Sequence, residues 1–136
     1  MQMTLEADYA VRIVMCLAKH NSRIGAKEIA EETEVTQRFS LKILRKLVAA
    51  DIVKSFRGIN GGYELAKPSS EISLCDVIET IEGNLAISRC LNSDFECYHK
   101  EKKGLKCPMK RVYSEITQMV HDKLSAVTFA DLINNN

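Results

Sequence analysis

Residues Gly25 to Leu65 read GAKEIAEETEVTQRFSLKILRKLVAADIVKSFRGINGGYEL, and the spacing of signals in this stretch decides the fold. Gly25, with Glu28 three residues on, opens a short helix from Ala26 to about Glu32, in which Ile29 and Ala30 face a core and Glu31, Glu32 and Glu34 form an acidic tail. After only Thr33, Glu34 and Val35, Thr36 caps a second helix running to about Ala49, with Phe39, Ile43, Leu44, Leu47 and Val48 turned inward. Two short helices joined by a three-residue turn have the spacing of a helix-turn-helix. Ile52 to Phe56 and Gly62 to Leu65 are strand-like, and Asn60-Gly61 between them predicts a type I′ hairpin turn, which needs φ > 0 at both positions. A two-stranded wing behind the second helix follows.

The flanking segments supply the rest of the core. Thr4 caps a helix to about Lys19 that is apolar on most sides (Leu5, Tyr9, Val11, Ile13, Val14, Met15, Leu17, Ala18), so it reads as buried, with Asp8 in its first turn. Pro68, Ser69 and Ser70 make a break. Ser73 with Asp76 then forms a capping pair ahead of Leu74, Val77, Ile78 and Ile81, and Gly83 ends that helix. A loop with three cysteines leads to Pro108, the first residue of a long helix with Met109, Val112, Tyr113, Ile116, Met119, Val120 and Leu124 along one stripe. Thr128 with Asp131 opens a last short turn holding Phe129, Leu132 and Ile133. The expected architecture is mainly α: a winged helix-turn-helix DNA-binding domain over residues 1–67, then residues 68–136 with a helix, the cysteine loop (84–107) and a dimerisation helix.

Composition agrees with one soluble domain. The chain has 136 residues, 46% hydrophobic and 27% charged, with net charge +1, which is enough apolar material for one core and excludes the disordered class. No apolar run approaches the roughly 18 residues of a membrane span, and Glu6, Asp8 and Arg12 interrupt the apolar start, so a cytoplasmic location is expected. The near-neutral total hides an asymmetry: Thr36 to Gly58 carries Arg38, Lys42, Arg45, Lys46, Lys54 and Arg57 against Asp51 alone. Arg38, Lys42 and Arg45 recur at helical spacing opposite the apolar stripe, a basic face of the kind a major groove admits. Thr36 and Gln37 at the helix start suit phosphate or base edges, Arg57 at the wing tip suits a minor groove, and Lys54 and Asn60 suit backbone phosphates. A basic face is also compatible with mere solvation or with a protein-binding winged helix. The long helix is too apolar for so small a domain to cover, which predicts a homodimer through Val112, Ile116, Met119 and Val120, with two reading helices on a palindrome-like site about one helical turn apart.

Cys16 and Cys75 lie in apolar periodic segments and read as small core residues. Cys90, Cys97 and Cys107 instead crowd into a polar loop. An odd count with no secretory signal argues for a reducing compartment, where clustered thiols mean metal or redox chemistry. Gaps of six and nine residues do not match the usual spacing of structural zinc sites, while thiolates suit either iron-sulfur or zinc. Three cysteines leave a fourth ligand to find, with Asp8, Glu96 and His99 as candidates. A zinc site of Cys90, Cys97, His99 and Cys107, or a thiol pair that closes on oxidation, remains open beside a cluster. No nucleophile elbow, phosphate loop or paired carboxylate speaks for an enzyme.

Over almost its whole length the sequence resembles the Rrf-two family of bacterial winged-helix regulators, which includes iron-sulfur regulators of the IscR, NsrR and RirA types. The matching stretches are Asp8-Tyr9-Ala10-Val11-Arg12, Ala26-Lys27-Glu28-Ile29-Ala30, the wing Arg57-Gly58-Ile59-Asn60-Gly61-Gly62-Tyr63, the helix from Ile72 to Gly83, the cysteine loop and Thr128-Phe129-Ala130-Asp131-Leu132. The resemblance implies a cytoplasmic dimeric repressor or activator whose DNA affinity depends on a [2Fe-2S] or [4Fe-4S] cluster at Cys90, Cys97 and Cys107. IscR-type proteins place a His ligand three residues after the last cysteine, where this chain has Lys110. NsrR-type proteins take an aspartate from the first helix of the partner subunit, and Asp8 stands at the matching place. The resemblance therefore implies an NsrR-like [4Fe-4S] cluster with an oxygen ligand, open to nitric oxide or oxygen. CymR-type members lack this cysteine set and work through a partner protein.

Overall fold

The computed structural model describes residues 2–97 and 107–135. Its first helix, α1 (Leu5–His20), is the element around which the others assemble. Thr4 caps it by accepting a hydrogen bond from the Ala7 amide at 3.2 Å, and Asn21 closes it in the left-handed conformation. Ala7, Ala10, Ile13, Val14 and Leu17 form its buried stripe. Leu5, expected inside, is instead 62% exposed, because it shares the outer face with Arg12 and Lys19 at seven-residue spacing. Helices α2 (Ala26–Thr33), α3 (Gln37–Ala49) and α4 (Leu74–Glu82) pack around α1.

The helix-turn-helix and the wing form as the sequence predicts, but the wing's turn does not. Strands β1 (Val53–Phe56) and β2 (Gly62–Leu65) pair antiparallel with Phe56 opposite Gly62, which leaves residues 57–61 in the loop. Asn60 and Gly61 have no positive φ; Gly58 (φ +91°) and Gly62 (φ +146°) take that role, and the Gly61 amide donates to the Gly58 carbonyl at 2.9 Å. The reason lies far away in sequence. Ile24, in the connection between α1 and α2, exchanges two backbone hydrogen bonds with Tyr63 (2.9 and 2.8 Å), so its backbone lies against Gly62. A Cβ on Gly62 would sit 2.5 Å from the Ile24 carbonyl oxygen. This third backbone segment sets the register that widens the loop beyond a type I′ turn.

The second half returns to the same core. Ser73 and Asp76 form a complete capping box at α4, and Thr128 and Asp131 form another at α6 (Phe129–Asn134). Between them α5 (Pro108–Ala126) begins with Pro108 at its first position, where the missing N–H costs nothing. The exit of α5 is clipped to the entry of α4: the Leu74 amide donates to the Val127 carbonyl at 2.9 Å and the Phe129 amide to the Ile72 carbonyl at 3.0 Å. Phe129 is fully buried and joins Ile72 and Val77 in the one cluster with Ile13, Ile43 and Leu47. No residue of α5 is buried; Met109, Val112, Ile116, Met119 and Val120 are all exposed, Met119 at 70%.

Candidate nucleic-acid interface

Helix α3 presents the expected basic face because its opposite face is firmly held. Ile43, Leu44 and Leu47 are fully buried, and the Phe39 ring stands edge-on to Tyr9 of α1 with centroids 5.5 Å apart. The Thr36 hydroxyl oxygen caps the helix by accepting from the Phe39 amide at 3.3 Å, while its O–H stays available to a phosphate. Gln37, Arg38, Lys42 and Arg45 are then exposed together. Arg38 and Arg45 have no carboxylate within ion-pair distance among the described residues, whereas Lys42 does.

Its partner is Glu6 of α1, a residue that sequence reading treats only as an interruption of an apolar run. Glu6 lies 3.4 Å from the Lys42 ammonium and 2.6 Å from that of Lys46. The Lys46 hydrogen bond, opposed by partial burial, is the largest influence holding the Glu6 carboxyl below its ordinary value of 4.5. One carboxylate thus partly neutralises two of the basic groups beside the reading face. Periodicity within α3 carries no trace of it, because the contact joins residues 36 and 40 positions apart.

On the wing, Lys54, Arg57 and Asn60 are exposed as expected, and Ile59 protrudes fully beside them. A second unforeseen residue holds the wing in place. The Arg23 guanidinium lies 3.4 Å over the Phe56 ring and donates from Nη1 to the Asn60 carbonyl at 3.1 Å. Arg23 sits in a short connection with no local pattern to mark it; only the tertiary fold brings it under the wing tip.

Cys16 and Cys75 are buried, as expected of core residues, though Cys16 also has polar company. Cys90, Cys97 and Cys107 are half-buried free thiols. Cys90 lies in a 3-10 turn (Arg89–Leu91) with its Sγ 3.2 Å from the Ser88 hydroxyl, and Cys107 immediately precedes α5. The described residues do not bring these three within single-ion distance of one another; the three-donor groups among the described residues are Cys16, His20 and Glu32, and Cys75, Glu79 and His121. His99, the fourth ligand of the zinc alternative, lies outside the described residues, while Glu96 is exposed. Asp8 is half-buried and paired with Arg12 at 2.9 Å.

A core-anchored helix-turn-helix, an exposed arginine-bearing third helix and an adjoining wing define a DNA-binding winged-helix protein. The chain belongs to the Rrf2 family, described as "Iron-dependent Transcriptional regulator", whose model matches residues 3–135. It is therefore a transcriptional regulator and not an enzyme. It is 31% identical over 135 residues to protein aau3 of Rhizobium meliloti, covering 98% of this chain and 85% of that one. It is 30% identical over 131 residues to the regulator NsrR of Oceanobacillus iheyensis, covering 94% and 86%. The fold is similar to that of CymR, the global cysteine regulator of B. subtilis, with TM-score 0.78 at 24% identity, covering 100% of this chain and 98% of that one. No described helix is long and apolar enough to cross a membrane.

Proposed function

We propose that the protein is a homodimeric cytoplasmic regulator whose operator affinity is set by an iron-sulfur cluster. Cys90, Cys97 and Cys107 would hold the cluster, with the partner subunit's Asp8 as oxygen ligand. The observation that carries this reading is the placement of the three free, half-buried thiols: they lie in the connection between α4, which packs on the winged domain, and α5, which starts directly after Cys107. The Ile87 amide donates to the Thr117 hydroxyl of α5 at 3.3 Å, so this connection is already tied to the long helix. The donor chemistry fits, because thiolates bind iron and a multi-iron cluster spaces its ligands more widely than one ion does. The iron dependence in the family's description and the likeness to NsrR support the same reading. When bound, such a cluster supplies a redox- and nitric-oxide-sensitive centre. For Asp8 to serve, Arg12 must release it.

On the DNA, Arg38 and Lys42 of α3 suit guanine edges, Thr36 and Gln37 suit phosphate or base edges, Arg45 extends the basic face, Lys54 and Asn60 suit phosphates, and Arg57 suits the minor groove. The exposed Val112, Ile116, Met119 and Val120 form the dimer seam. Anaerobic purification with iron, acid-labile sulfide and zinc measured per chain tests the cluster. Near-equal iron and sulfide, lost in Cys97→Ala, are expected; one zinc per chain, or no metal after reconstitution, would overturn it. For the DNA face, Arg38→Ala and Arg57→Ala are each expected to weaken duplex binding and to flatten the log-log salt slope by about 1. An unchanged slope in both would remove the assignment.

A further inference from the structure

From the C-terminal end of α1 we infer a divalent transition-metal site, of zinc type, formed by Cys16, His20 and Glu32. It is separate from the cysteine loop and independent of the cluster reading. Cys16 and His20 are one helical turn apart on α1, so their side chains share a face, and Glu32 reaches them from α2. The Cys16 thiol donates to Glu32 Oε2 at 3.2 Å, and His20 Nε2 lies 2.7 and 2.8 Å from the two Glu32 oxygens. All three donor atoms fall within 4.8 Å of one another.

The donor set is one sulfur, one imidazole nitrogen and one carboxylate oxygen, the three kinds of ligand that zinc accepts. Bonds of about 2.0–2.3 Å in a tetrahedron place donor atoms about 3.5 Å apart. The His20–Glu32 and Cys16–Glu32 separations reach that spacing if the exposed His20 and Glu32 open by a fraction of an ångström, and the Cys16–His20 separation already lies within 4.8 Å. Cys16 is 6% exposed, so the two exposed side chains are the ones free to adjust around it. Their exposure also leaves the outer coordination position to water, as in three-ligand zinc sites. A thiolate and a carboxylate balance a dication.

Burial and the Glu32 carboxylate push the Cys16 thiol up to about 12 when no metal is present. Binding therefore releases the thiol proton to solvent as the metal-sulfur bond forms. The ion would join α1 to α2, the first helix of the helix-turn-helix, and so brace the element that positions α3. The comparable group Cys75, Glu79 and His121 is looser, with His121 Nε2 3.8 Å from Glu79 Oε1, and serves as the internal control.

The test titrates cobalt(II), without oxygen, into the full chain carrying Cys90→Ser, Cys97→Ser and Cys107→Ser, following the sulfur-to-cobalt charge-transfer band. One cobalt per chain is expected, with the band abolished by adding His20→Gln and kept on adding His121→Gln. No band, or a band that survives His20→Gln, overturns the site. Zinc-dependent melting of the chain carrying Cys90→Ser, Cys97→Ser and Cys107→Ser gives the same discrimination: zinc is expected to raise the Tm when His121→Gln is added and to leave it unmoved when His20→Gln is added. Equal shifts in the two count against it.

Discussion

Glu6 shows how one side chain can set the electrostatics of a surface it does not belong to. Its carboxyl titrates below 4.5 in the folded chain, with the Lys46 hydrogen bond as the main cause. A depressed folded value means the contribution is complete above 4.5 and lost as pH falls from there through the lower folded value. Glu6→Gln is therefore expected to lose less stability than the wild-type chain across that acid window, as read by urea unfolding at a series of pH values. At neutral pH the same variant frees Lys42 and Lys46, and fluorescence anisotropy is expected to show tighter duplex binding with a steeper salt slope. Gly62 is a second single-residue lever. Gly62→Ala drives a Cβ into the Ile24 backbone at a φ of +146°, and a cost of about 1–3 kcal/mol is expected in chemical denaturation. Capping residues were legible at this scale, since Thr4, Thr36, Ser73 and Thr128 act within three residues of themselves. Glu6 and Arg23 were not, because each acts only on residues that folding brings near.

Among the elements, periodicity carried most of the information. The stripe in α3 identified both its buried and its basic face, and the split of Ser73 from Asp76 located the start of α4. The wing shows where local signals stop. Asn60-Gly61 is a strong hairpin signal, but the two backbone hydrogen bonds between Ile24 and Tyr63 hold Gly62 in a position that overrides it. Helix α5 is the opposite case: its apolar stripe was legible, and the structure half-buries Tyr113 and Leu124 while leaving Met109, Val112, Ile116, Met119 and Val120 exposed. In the proposed homodimer, Ile116→Asp places a charge in the seam. Analytical ultracentrifugation at micromolar concentration is expected to find that variant monomeric and the wild-type chain dimeric.

For the molecule as a whole, the decisive contact is between its ends. Phe129 of α6 is buried against the cluster that α1 organises, so Phe129→Ala is expected to cost about 3–5 kcal/mol in urea unfolding, with the loss felt in the winged domain as well as in α6. The sequence showed that Thr128 begins a helix; it did not show where that helix docks, since docking depends on the path of everything before it. The same limit applies to Cys90, Cys97 and Cys107, whose type and order are legible in the sequence but which the described residues do not bring within single-ion distance of one another.

The clip between Ile72-Leu74 and Val127-Phe129 has a consequence for how such a chain can diversify. α4 stays in the core, and the chain that follows it through α5 is brought back to the entry of α4 by this clip, as a closed excursion with a fixed base. The cost of closing a loop rises only slowly with its length. Residues can therefore be added or removed around the exposed Asn92-Ser93-Asp94 segment without disturbing the base, so that the connection between α4 and α5 is free to vary in length while the core keeps its shape.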